Sequence, residues 1–293
     1  MHIEQIRTFL EVANTGNFHR AAQNLNVTQS TVSARIRQLE DSLGEPLFLR
    51  SHAGVQLSAA GQRFRRFALN MQRLWRRAEQ EVALPRGYRG RIGLGSQVSL
   101  WDRLILRWIP WMRDSCPDVA IRVEADYSTS LMRQVADGVL DIAVLYQPRR
   151  TPGLVSEQLI NETLVMVSTR QDVGAEDWRQ DYVLVDWGRD FRITHGELFP
   201  DVGTPPVSVG LGALGLQYVL ENGGSAYFPI RVVRPLLAQD RLTRVPQAPT
   251  MRRPAYIVYA EETGNRELVD TALEGLRQIA IQGESEDRPH AGD

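Results

Sequence analysis

The chain of 293 residues contains no lysine, so all 34 of its basic side chains are arginine and every cationic contact carries a planar guanidinium. One cysteine, Cys116, excludes an internal disulfide and suits a reducing, cytoplasmic setting. It precedes Pro117 outside any thiol motif and reads as a small packed residue. Every apolar run falls short of the roughly 18 residues that span a bilayer. The opening Met1–Arg7 lacks the apolar core of a leader peptide, so no membrane contact is expected. There is no G-x-S-x-G, no H-E-x-x-H and no Cys/His cluster. Nucleophilic and metal catalysis therefore lack a foothold, and no enzymatic activity, metal or cofactor is expected.

What is present is unevenly divided. Hydrophobic residues make up 43% and charged residues 24%, ordinary for a globular chain long enough for about two domains. The net charge of −1 conceals a split. Residues 1–90 hold thirteen arginines against seven acids, a net of +6, and the remainder holds twenty-one against twenty-eight, a net of −7. A basic first third on an acidic remainder points to a polyanion met by the N-terminal part alone.

That first third opens with three helical patterns. Ile3, Ile6, Phe9, Leu10 and Ala13 recur at helical spacing, and Thr15-Gly16 ends the run. Asn17 is a good cap for a second segment carrying Phe18, Ala21, Ala22 and Leu25. Thr28 caps a third, which runs to Leu43 and is stopped by Gly44. At about 100° per residue, Val32, Ile36 and Leu39 face a core. Gln29, Ser30, Ser33 and Arg37 share a slim polar arc suited to a major groove. Pro46–Arg50, a Gly-containing turn and Val55–Leu57 then read as a hairpin, with Arg50 placed for a minor groove or a phosphate. Helix-turn-helix plus hairpin is a winged helix-turn-helix.

Phe9, Leu10, Val12, Ala13, Gly16, Phe18, Ala21, Ala22, Leu25, Val27, Gln29, Ser30, Val32, Ser33, Ile36, Leu39, Glu40, Leu43, Gly44, Leu47, Phe48 and Arg50, at this fixed spacing, resemble the DNA-binding motif of the LysR-type transcriptional regulators. Leu57-Ser58-Ala59-Ala60-Gly61 resembles that family's link into its long helix. The resemblance implies base contacts from Gln29, Ser30 and Ser33, phosphate contacts from Thr31 and Arg35, and a minor-groove role for Arg50. The chain departs from many members at Ser30, where they carry proline, and at Ala53, where they carry a second arginine.

From Ser58 to Leu84 no proline interrupts a helical run whose Phe64, Ala68, Met71, Trp75, Ala78 and Val82 form a coiled-coil seam. This predicts a dimer helix, two recognition helices and a roughly palindromic operator. Beyond a linker at 85–90, strand and helix patterns alternate, which argues an α/β domain of mostly parallel strands. The resemblance implies two lobes with a hinge crossed twice, similar to periplasmic binding proteins. Lobe I is expected at about 91–160 and 262–282, lobe II at about 161–261, with a charged disordered tail over 283–293.

Ligands of such sheets sit beyond strand C-termini, where helix N-termini point. Two loops fit, Gly95–Ser99 and Tyr127–Ser130, and the resemblance places effector contacts on both. Ser96, Gln97, Ser99, Ser128 and Thr129 are the candidates, with Tyr146 near the first crossing; a carboxylate or another anion is the expected ligand. Trp187–Phe191 begins a loop that can close over the cleft, and His195 reads as structural. Gly210-x-Gly212-x-x-Gly215 spells a dinucleotide fingerprint but lacks its acid and its βαβ setting, so it reads as turns.

The expectation is an α+β multidomain regulator, dimeric or tetrameric, that binds promoter DNA and, through a ligand in the cleft, governs access of RNA polymerase. On the residues alone, a two-lobed solute-binding protein or enzyme, and a structural DNA-binding protein without effector response, stay open.

Overall fold

A computed structural model describes residues 2–51, 54–84, 87–175 and 177–287. The N-terminal head comprises α1 (Ile3–Thr15), α2 (Phe18–Asn24), α3 (Gln29–Leu43) and the wing hairpin β1 (Phe48–Ser51) and β2 (Gly54–Leu57). Each helix ends where its local chemistry requires. Gly16 and Gly44 close α1 and α3 in left-handed conformations. The Asn17 side chain accepts from the backbone of His19 and Arg20 at 2.8 and 3.1 Å, and the Thr28 hydroxyl accepts from Thr31 N–H. The apolar faces of all three helices meet around Phe9, whose ring lies 5.3 Å from Phe48 and 5.1 Å from Phe64.

The wing is bonded to the helices it flanks. Glu40 Oε1, on α3, accepts from Leu47 N–H at 2.7 Å and Phe48 N–H at 3.3 Å. Val55 N–H, on β2, donates to Gly16 O. The long helix α4 (Ala59–Val82) starts against this hairpin: Ser58 Oγ receives Gly61 N–H and donates to Pro46 O. Gly61 is required here, because a Cβ would lie 2.1 Å from Leu47 O. The predicted seam of α4 divides. Phe64, Ala68 and Met71 pack on the head's own core, while Trp75 and Val82 are 49% and 89% exposed. Only the second half of the seam, with Phe67 and Leu74 beside it, is left uncovered for a partner, because the head is large enough to bury the first half.

The larger part holds β3 (Gly90–Ser96), α5 (Leu106–Ser115), β4 (Val119–Ala125), α6 (Ser128–Ala136), β5 (Ile142–Leu145) and β6 (Leu154–Ser168). It continues through β7 (Val183–Val185), α7 (Arg189–Leu198), β8 (Val207–Val209), α8 (Gly212–Asn222), β9 (Ser225–Pro229), α9 (Ile230–Ala238), β10 (Thr243–Arg244), β11 (Met251–Ala260) and α10 (Arg266–Asp287). The strands are not mostly parallel as expected. Parallel pairs are β3–β4, β3–β5 and β7–β8, but β6 pairs antiparallel with β9, β10 and β11, and β11 antiparallel with β5. The reason is topological. A chain that crosses a hinge twice crosses in opposite directions, and β6 and β11 are the two crossings.

Two apolar cores flank them. Ile160, Ala255, Ile257 and Tyr259 belong to the first, Leu164 and Met251 to the second. The second crossing is thus at about 252–254, not near 261 as the sequence boundary had it. Helix α10 continues to Asp287, which replaces the expected disorder over 283–287; residues 288–293, and Pro85 and Arg86 of the expected linker, lie outside the described residues. Gly90, assigned to that linker, opens β3. The Gly210–Gly215 pattern serves close packing: a Cβ on Gly212 would lie 2.2 Å from the Trp187 ring and one on Gly215 2.7 Å from Val185. Among the described residues, no helix is long and apolar enough to cross a membrane.

Gly61→Ala is expected to destabilise the head by roughly 1–3 kcal/mol, the usual cost of overpacking. Differential melting and amide exchange around the wing measure it; unchanged values in both would exclude the close contact. Gly212→Ala should cost a similar amount in lobe II and shift tryptophan emission to the red as Trp187 is displaced. Unaltered emission would place α8 further from the indole.

Candidate functional site

The surface of α3 is polar because its apolar residues, Val32, Ile36 and Leu39, are all turned into the head. Gln29, Ser30 and Arg37 are exposed, and Thr31, Ser33 and Arg35 are half-buried. The hydroxyls of Ser30 and Thr31 each lie 2.8 Å from Thr28 Oγ1, so both take part in the helix cap. Arg37 Nε reaches Ser33 O at 3.4 Å along the helix. Arg35 is held back toward α1, donating to Thr8 Oγ1 and pairing with Glu4, both at 3.3 Å. Its guanidinium therefore stands at the edge of the arc rather than on it. The Arg50 side chain and Ala53 lie outside the described residues.

A cleft of about 690 Å³ opens between the lobes of the larger domain, within the range of small-molecule sites. Lobe I supplies Gln97, Ser99, Ser128 and Thr129 at the start of α6, and Tyr146 with Gln147 after β5. Lobe II supplies Asp186, Trp187, Gly188 and the start of α8. One amide ties the lobe I wall together: Gln97 Oε1 accepts from Ser128 Oγ at 2.8 Å and from Tyr146 N–H at 2.9 Å. Ser99 Oγ donates to Tyr146 OH at 3.3 Å. Five of the six candidates thus line one cleft. Ser96 does not. It is the last residue of β3, fully buried, and its hydroxyl donates to Gln97 O, so the cleft wall begins one residue later than expected.

Of the expected loop at 187–191, Trp187 and Gly188 line the cleft, while the chain from Arg189 is already α7 and Phe191 belongs to the lobe II core. Trp187 Nε1 donates to Tyr227 O at 2.8 Å, which fixes the indole. In its hydrogen-bonded orientation the Gln147 amide accepts from the backbone N–H groups of Arg189 and Asp190, so a lobe I side chain caps a lobe II helix. His195 stacks on Tyr182 with 5.3 Å between centroids, and burial lowers its pKa.

The cleft floor carries charges that the sequence reading did not single out. Glu162 on β6 and Arg253 on β11 face each other across the ladder. Glu162 is nearly inaccessible; its Oε2 accepts from Tyr146 OH at 2.6 Å and its Oε1 from Arg231 Nε at 2.7 Å. Arg231, on α9, also reaches Asp102 and Ser99 O of lobe I, each at 2.7 Å. Burial opposes the Arg231 cation, but Glu162 and Asp102 more than offset it and raise its pKa. Burial, and then Glu162, push the Tyr146 phenol well up, so it stays a hydrogen-bond donor. Arg253 lies with Cζ 3.3 Å over the Tyr146 ring and 4.7 Å over that of Trp187. The signal was present in the alternation: Ile160, Glu162 and Leu164 share the inward face of β6, and Met251, Arg253 and Ala255 that of β11.

Comparison with known proteins agrees with this architecture. A family model described as "Bacterial regulatory helix-turn-helix protein, lysR family" matches residues 3–62, and one described as "LysR substrate binding domain" matches residues 85–280. The HTH-type transcriptional regulator HdfR of Yersinia enterocolitica is 28% identical over 296 residues, covering 96% of this chain and 100% of that protein. Among solved structures, ArgP from Mycobacterium tuberculosis aligns with a TM-score of 0.59 at 22% identity, covering 94% of this chain and 96% of that one. Full-length LysG from Corynebacterium glutamicum with bound effector Arg aligns at 0.60 and 17%, covering 96% and 99%. With the two family models spanning the head and the two-lobed domain in turn, the chain belongs to the LysR family of DNA-binding transcriptional regulators with an effector-binding domain.

Proposed function

We propose that this regulator grips promoter DNA through Gln29, Ser30, Ser33 and Arg37 on α3, with Thr31, Arg35 and Arg50 directed to the backbone and the wing's groove. Two or four copies, joined through the uncovered half of α4, bind a palindromic operator in the cytoplasm. A small molecule in the cleft, held by Gln97, Ser99, Ser128, Thr129 and Tyr146, sets the angle between the lobes and so the access of RNA polymerase. The observation that carries the reading is the composition of the cleft. Its walls come from both lobes and Arg253 of the crossing strand β11 lines it, so a ligand there contacts both parts whose relative position can change. LysG with its bound arginine supports a small-molecule effector.

Helix α6 supplies the route outward. It starts in the cleft at Ser128 and ends at Ala136, whose carbonyl accepts from Arg73 Nε of α4 at 3.1 Å. A nine-residue helix is about 13 Å long and moves as a rigid rod. Displacing its start therefore displaces the contact with the helix that carries the head.

The test is binding of wild type and Ser33→Arg to the regulator's own promoter region across a salt series. The variant should lose roughly ten- to a hundredfold in sequence-specific affinity while keeping salt-dependent nonspecific binding. Equal specific binding by both proteins would move the recognition face elsewhere.

A further inference from the structure

The cleft carries a charge imbalance that its ligand has to complement. Arg253 is nine-tenths buried, yet its Nε and Nη1 make no hydrogen bond. Its nearest acid is Glu162, with 3.7 Å between Nη1 and Oε2. Both oxygens of that carboxylate already accept, one from Tyr146 and one from Arg231. One buried carboxylate thus faces two buried guanidinium groups. Arg231 finds a second acid in Asp102 at the lobe I edge, whereas Arg253 is left with aromatic faces. Burying donors and a cation without acceptors is unfavourable, and burial accordingly lowers the Arg253 pKa.

The rest of the lining sets an upper bound on the ligand's charge. Arg253 is the one cation among the described residues that line the cleft, and Asp126 and Asp186 line it too. Asp126 accepts from Ser130, from Tyr127 N–H and from Gln134, bonds that hold its carboxyl below the usual range. Asp186 accepts from Gly188 N–H and pairs with Arg192. A dianion entering here gains one cation and meets two carboxylates; a monoanion completes the floor and leaves the rim tolerable.

We infer that the effector is a small molecule with a single carboxylate, and that Arg253 selects it by turning its unmet N–H groups, covered in the free protein, onto that carboxylate. The inference rests on the cleft being the effector site. It makes Arg253 the residue that distinguishes an acid from its neutral analogue, because charge-assisted bonds in a dry site discriminate far more than apolar contacts.

The experiment is a thermal-shift titration of the full chain with small monocarboxylates (acetate, hexanoate and benzoate), their amides, and the dicarboxylates succinate and phthalate, to about 10 mM. At least one monocarboxylate should raise the melting temperature, with its amide and the dicarboxylates raising it less. Arg253→Gln should abolish that preference, while Arg253→Lys keeps it with affinity weakened roughly tenfold. The lysine variant serves as the comparison if the glutamine variant does not fold. Thr129→Trp, which fills the cleft from the start of α6, should abolish every shift. Monocarboxylate binding that survives Arg253→Gln but is lost in Thr129→Trp overturns the role of Arg253 and leaves the cleft reading standing. Binding that survives Thr129→Trp overturns both. An amide that stabilises as well as its acid, or no stabilisation by any monocarboxylate, also overturns the inference.

Discussion

Ten residues of β11 pair antiparallel with β6, from Leu154 to Leu164, and both lobes of the effector domain hang from this one ladder. Its details show what a strand must do to serve two cores. A register shift between Ala255 and Tyr256 leaves Leu159 of β6 as the extra residue, a bulge that adds twist where the strands pass from one lobe to the other. Pro254, which has no N–H to give, stands in β11 just before Tyr256, where pairing with β5 begins, so β11 is there flanked by β6 alone. One residue beyond Pro254 the ladder places Glu162 opposite Arg253, at the point where neither apolar core reaches.

A buried acid at a hinge does not add much net stability, because desolvating it costs about as much as its partners return. What it supplies is geometry. Glu162 draws Tyr146 from lobe I and Arg231 from lobe II onto one carboxylate, and Arg231 continues to Ser99 O and Asp102. The closure of the lobes is therefore defined by bonds of fixed direction rather than by apolar contact, which would tolerate sliding. Ser99, bonded to Tyr146 through its hydroxyl and to Arg231 through its carbonyl, belongs at once to this latch and to the lobe I wall of the cleft. The cleft wall and the bonds that set the lobe angle thus share atoms.

The head was legible almost to the residue, because its structure is decided by neighbours in sequence: Asn17 and Thr28 cap, Gly16 and Gly44 stop, and helical periodicity turns Val32, Ile36 and Leu39 inward. The effector domain was legible as elements but not as a sheet. Leu164–Ser168 reads as a short strand, while the preceding Leu154–Thr163 carries Ser156, Glu157, Gln158, Asn161, Glu162 and Thr163 among its ten residues, a polar run that hides a single strand of fifteen residues. Strand direction, too, follows from the double crossing and not from local composition. The candidates of the cleft were found by the rule that ligands sit at helix starts, and Ser96 failed by a one-residue phase, since side chains in a strand alternate between faces. Arg253 and Arg231 lie far along the chain from Ser99 and Gln97, and nothing short of the folded ladder brings them together.

The joint between head and effector domain has a different character from either interior. Within each unit the elements meet through aromatic and aliphatic clusters. Between them the contacts are polar: Asn70 donates to Glu262, Arg73 to the carbonyls of Ala136 and Gly153, and Arg133 lies 3.9 Å from Glu11. Hydrogen bonds of this kind contribute about 0.5–1.5 kcal/mol each and the exposed ion pair about 0–1, so the whole joint is of the order of the roughly 1–3 kcal/mol by which one site usually influences another. The basic head and acidic effector domain add a long-range attraction that salt weakens. A joint this shallow can be reset by a ligand that changes a few bonds at the start of α6, whereas an apolar joint of the same extent would hold the head in one place whatever occupied the cleft.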